Sequence, residues 1–141
     1  LKVVAAHPDR FRSLIVAGVG ANLFRSDDMS AVVDAVRNGD DGGNPVLGYF
    51  SGLAQLPGND REALAACMAN GGGRVGAEEL AAVGCPVLVV LGEHDFIAPA
   101  GQLVEALPDA RLVTLPRTDH ARTPKSFEFI DAALAFLAAQ D

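Results

Sequence analysis

Val87-Leu88-Val89-Val90-Leu91-Gly92-Glu93-His94-Asp95-Phe96-Ile97-Ala98-Pro99 is the stretch on which the fold turns. Its first five residues are apolar, three of them are β-branched, and no polar residue alternates with them. Strands buried on both faces of a parallel sheet have this pattern. A glycine ends the run and an aspartate follows within a few residues. In parallel α/β sheets, functional groups gather beyond the carboxyl ends of the strands. Asp95 is therefore placed where chemistry is expected.

Working outward, Ser13–Ala17 is a second continuous apolar run, and Arg111–Leu115 is a third, half polar and so nearer an edge. The third run leads into Pro116-Arg117-Thr118-Asp119-His120. Two neighbouring parallel strands thus deliver an acid and an imidazole to one rim, 25 residues apart in sequence. A carboxylate that accepts the Nδ1–H of a histidine fixes the ring's tautomer and orientation. The other ring nitrogen can then take a proton from a nucleophile and return it to a leaving group. Asp119 adjoins His120, but neighbours in a loop rarely face one another, so Asp95 is the favoured partner. Asp95 taken alone also suits a helix N-cap near Pro99.

Helices separate the strands. Leu1–Ala6 is apolar and stops at His7-Pro8, which makes His7 a structural helix end. Gln102–Leu107 repeats Leu103, Val104 and Leu107 at helical spacing. Pro124–Ala139 is the clearest helix, with Phe127, Ile130, Leu134 and Leu137 expected to form its one apolar face. Alternating strand and helix gives the α/β class with a parallel sheet.

Residues 22–83 differ. They contain no buried-strand run, only short helical patterns broken at Asp41-Gly42-Gly43 and Gly71-Gly72-Gly73. The expected organisation is a core of residues 1–21 and 84–141 with a helical cap or lid at 22–83. Phe50, Leu53 and Phe96 are candidates to line a substrate pocket, against the plainer reading that they are ordinary core.

The ordered set of motifs resembles the C-terminal half of the α/β-hydrolase family. There, a strand ending in Gly-x-x-Asp, with a proline four residues on, supplies the acid of a catalytic triad. The loop after the last strand supplies the histidine. Gly92, Asp95, Pro99 and His120 stand at those positions, and Ala5–Val16 resembles the end of the helix after the nucleophile turn and the next strand. The family often has glycine directly before the histidine, where this chain has Asp119. The resemblance implies a cofactor-independent hydrolase of esters or related small acyl compounds, with Asp95 and His120 catalytic. It equally admits an epoxide hydrolase or dehalogenase with an aspartate nucleophile, or a non-catalytic binding module on the same scaffold.

The nucleophile of that family lies on a Gly-x-Ser-x-Gly turn opening the helix that here ends at His7. A helix of roughly 10–14 residues is usual, and six residues precede His7. The turn is therefore expected before Leu1, and the chain as given is expected to be inactive by itself. No internal serine replaces it. Ser51 sits in Gly48-Tyr49-Phe50-Ser51-Gly52, with the wrong glycine spacing and no strand before it. Ser13 opens a strand, and Ser26, Ser30 and Ser126 lie in polar or helical contexts.

Bulk properties exclude other classes. A net charge of −7 lacks the basic footprint of a nucleic-acid binder. The longest apolar run is far too short to span a bilayer. His94-Asp95 resembles a metal-binding dipeptide, but no further cluster completes a metal site, so neither metal nor cofactor is expected. Cys67 and Cys85 form no metal or redox spacing and are expected to be small buried hydrophobes in a reducing cytoplasm. The expected partner is a small-molecule substrate. An unpaired apolar edge at the first strand also makes self-association of the chain an expectation.

Overall fold

The computed structural model describes residues 1–24, 28–70 and 75–140. The chain divides into two compact units, Leu1–Arg25 with Arg74–Asp141, and Ser26–Gly73.

In the larger unit, α1 (Lys2–Ala6) precedes β1 (Leu14–Ala17), which pairs in parallel with β2 (Val87–Gly92). β2 pairs in parallel with β3 (Ala110–Leu115), giving the order β1-β2-β3. All six residues of β2 are buried, as an uninterrupted apolar strand at the centre of a two-sided sheet must be. β3 is less buried, with Arg111, Leu112 and Thr114 exposed and Leu115 buried.

Successive side chains on a strand point to opposite faces, and two core layers follow. On one face Leu14, Val16, Val87, Val89 and Leu91 meet Val4, Leu80 and Leu103. These last three come from α1, α5 (Ala77–Ala81) and α6 (Gly101–Ala106). On the other face Ile15, Leu88, Val90, Val113 and Leu115 meet Phe129, Ala132 and Phe136 of α7 (Phe127–Ala138). Helices on both faces of a parallel sheet give the α/β class expected from the sequence.

The smaller unit is helical. α2 (Ser30–Asn38), α3 (Pro45–Ala54) and α4 (Arg61–Ala69) pack Val32, Val33, Val36, Ala54 and Ala65 together. Each helix has a local stop or start signal. Gly39 closes α2 at φ +77, Asn44 accepts from the amides of Val46 and Leu47, and Asp60 accepts from Ala63.

Four details depart from the sequence reading. α5 belongs to the larger unit, because Leu80 and Val83 are part of the layer under the sheet, so the helical insertion is shorter than residues 22–83. Pro124 lies in a separate 3-10 turn, Thr123–Lys125, and α7 starts after Ser126, whose hydroxyl accepts the Phe129 N–H. The face of α7 carrying Phe127, Ile130, Leu134 and Leu137 is exposed, and Phe129, Ala132 and Phe136 are inward. This helix is apolar on two sides, and spacing alone does not say which one meets the sheet. Cys67 is exposed, because α4 turns Ala65 inward instead, whereas Cys85 is buried. The Gly71-Gly72-Gly73 break and Ser26 lie outside the described residues. Among the described residues no helix is long and apolar enough to cross a membrane.

Candidate active site

Asp95 and His120 occupy the loops that leave the carboxyl ends of β2 and β3. Because the two strands are parallel neighbours with Gly92 opposite Leu115, both loops emerge at the same edge. His120 Nδ1 lies 3.0 Å from Asp95 Oδ2 and 3.1 Å from Oδ1. The Asp95 side chain is 0% exposed and that of His120 25%. A buried carboxylate is costly unless its oxygens are partnered. Here Oδ1 also accepts the Ile97 N–H at 2.9 Å, so the acid is held by its own turn as well as by the imidazole. With its proton on Nδ1, the ring faces the carboxylate through that nitrogen and directs Nε2 elsewhere.

The competing assignments resolve in the same geometry. Asp119 turns its side chain to the Arg122 N–H, at 2.9 Å, and its carbonyl to the Thr123 hydroxyl, at 3.0 Å. It closes the turn after the histidine instead of facing the ring. Asp95 caps no helix, since α6 begins after Ala100 without a side-chain cap. His94 is exposed, and among the described residues no group of histidine, cysteine or acidic side chains could hold a metal ion. His7 ends α1, its amide donating to the carbonyls of Val3 and Val4.

Of the three pocket candidates, Phe96 is brought to the pair. Its ring centroid is 4.7 Å from that of His120 at an interplanar angle of 38°. Phe50 packs against the core of the helical unit, and Leu53 is half-buried on α3 of that unit. Ser51 is buried on α3, where its hydroxyl accepts from Gln55 Nε2 at 3.3 Å. It sits mid-helix, without the strand-to-helix turn that would present a nucleophile.

Two glycines shape this site: Gly92 of the Gly-x-x-Asp pattern, and Gly18, which the sequence did not single out. Gly18 follows β1 at φ +67, and a Cβ there would stand 2.9 Å from His120 Cε1 and 3.2 Å from Nδ1. The imidazole fits only because position 18 has no side chain. Gly92 ends β2, and a Cβ there would run into the carbonyl of Thr118. The histidine loop lies directly on the end of β2 for that reason. For Gly18 the only available signal was a glycine immediately after an apolar strand, and the chain holds 15 glycines, so that signal was not selective.

No protein-family model matches the chain, and no curated protein matches it in sequence. Solved structures do match. A protein of Mycobacterium tuberculosis H37Rv named for non-heme bromoperoxidase superposes with a TM-score of 0.72 at 16% identity, over 99% of this chain and 62% of its own. A thermophilic esterase from Thermogutta terrifontis gives 0.68 at 21%, over 97% and 59%. An enol-lactonase from Burkholderia xenovorans LB400 gives 0.57 at 24%, over 98% and 59%. At such identities the likeness is one of fold. The chain spans about three fifths of the length of these structures.

Proposed function

From the premise that this chain has the C-terminal part of an α/β-hydrolase fold, we propose that it supplies the acid and the histidine of a hydrolase of esters or related small acyl compounds. In this reading the nucleophile is a serine on polypeptide preceding Leu1. Its Oγ attacks the substrate carbonyl while His120 Nε2 takes the hydroxyl proton. Asp95 steadies the resulting imidazolium through Nδ1. His120 then gives the proton to the departing alcohol, leaving an acyl-enzyme. Water, deprotonated by the same imidazole, attacks the acyl carbon, and the serine leaves with the proton restored.

One observation carries the proposal. A fully buried carboxylate shares both oxygens with the imidazole of a partly exposed histidine, at the carboxyl ends of adjacent parallel strands. A purely structural ion pair has no need of that position. Phe96, whose ring lies against that of His120, is proposed to line the substrate side.

The test is a fluorophosphonate probe applied to the parent protein, with the labelled residue located by mass spectrometry. The serine reading expects one labelled serine outside residues 1–141, with labelling abolished by His120→Ala. Absence of labelling together with turnover of an epoxide or haloalkane would replace the serine by an aspartate nucleophile. Absence of both would leave a binding module.

A further inference from the structure

The two loops that carry Asp95 and His120 are joined by a further side chain besides that pair. Glu93 follows β2 directly. Its backbone N–H donates to the Leu115 carbonyl at 2.9 Å, and its carboxylate Oε2 accepts the Arg117 N–H at 2.7 Å. Arg117 is the one non-glycine residue at positive φ among the described residues, at +52. An L residue in the left-handed region is disfavoured and persists only where its surroundings hold it. A carboxylate on a backbone amide is a short, charge-assisted hydrogen bond and supplies such a hold. One residue on, the His94 N–H donates to the Thr118 carbonyl at 2.9 Å, above the space that Gly92 leaves open. Residues 92–94 are therefore the bed on which 115–118 lie, and His120 follows two residues later.

We propose that Glu93 is a positioning residue for His120. By holding the amide of Arg117 it sets the left-handed turn that starts the histidine loop, and so keeps Nδ1 on Asp95. The inference rests on the proposed role of the Asp95–His120 pair and extends it to a residue that touches neither side chain's reacting atoms. Glu93 is exposed and belongs to none of the core clusters, so its replacement leaves the sheet intact.

The test uses the 141-residue chain at low concentration. Backbone hydrogen exchange is read by mass spectrometry over 115–122, relative to β2 so that any general loss of stability cancels. The rate of carbethoxylation of His120 by diethyl pyrocarbonate is read relative to His7. Glu93→Ala is expected to speed loop exchange about tenfold and to alter His120 reactivity several-fold. Glu93→Gln, which keeps an oxygen acceptor, is expected to restore both to near the unsubstituted values. Unchanged exchange and reactivity in Glu93→Ala, or a Gln variant as impaired as the Ala variant, would overturn the proposal. Asp95→Asn in the same assay separates the two layers. No change of His120 reactivity there defeats the role of the pair itself. A change there, with none in Glu93→Ala, defeats Glu93 alone.

Discussion

At the scale of single residues, the site depends as much on what is absent as on what is present. Gly18 must be glycine twice over, for its positive φ and for the imidazole against it. Gly18→Ala is expected to destabilise the chain by about 1–2 kcal/mol through the left-handed backbone alone. It should also push His120 off Asp95, since the ring cannot yield toward the carboxylate it already touches. A thermal melt reads the first effect. A crystal structure of the variant reads the second, and an Nδ1 still near 3.0 Å from Asp95 would refute it. Asp95 and His120 were legible because the sequence showed apolar strands ending in short loops, and strand ends in parallel sheets define a rim. Gly18 and Glu93 were not legible, nor was the close approach that requires glycine at position 92. Their importance arises from contacts between loops 24 or more residues apart, and no local pattern encodes such an approach.

At the scale of elements, local chemistry predicted existence better than orientation. β2 was readable because continuous burial leaves a continuous apolar run. Leu88 is fully buried in it, and Leu88→Ala should cost about 2–5 kcal/mol, measured by chemical denaturation. A cost below about 1 kcal/mol would mean that the central strand is not closely packed. α7 shows the limit of periodicity. Phe127, Ile130, Leu134 and Leu137 keep helical spacing, and so do Phe129, Ala132 and Phe136, and only the second set meets the sheet. The helix start was likewise displaced, since Pro124 suited a first turn but Ser126 makes the cap. Ser126→Ala should therefore destabilise by about 1 kcal/mol, whereas Pro124→Ala should have less effect. Equal effects of the two in denaturant titrations would return the start of the helix to Pro124.

At the scale of the whole molecule, two apolar features stand open. β1 has β2 as its one strand neighbour among the described residues, and α7 carries the exposed stripe. An unpaired edge beside exposed apolar side chains favours association. We expect the 141-residue chain to elute above its monomer mass on gel filtration, and Leu134→Glu with Ile130→Glu to shift it toward the monomer. A clean monomer without those substitutions would show that neither feature is sticky. Matching solved structures are longer than this chain, which spans about three fifths of their length. Fold class was legible at this scale because strand and helix alternate. The extent of the helical insertion was not, because α5 has the same composition as the insertion and differs only in lying under the sheet.

His120, oriented by Asp95, is proposed to move the proton in an acyl-transfer reaction. Turnover of a short-chain p-nitrophenyl ester by the parent protein, with and without His120→Ala, tests it most directly. A fall of at least about a thousandfold in kcat with the fold intact is expected. Turnover within about twofold of the unsubstituted protein would contradict it.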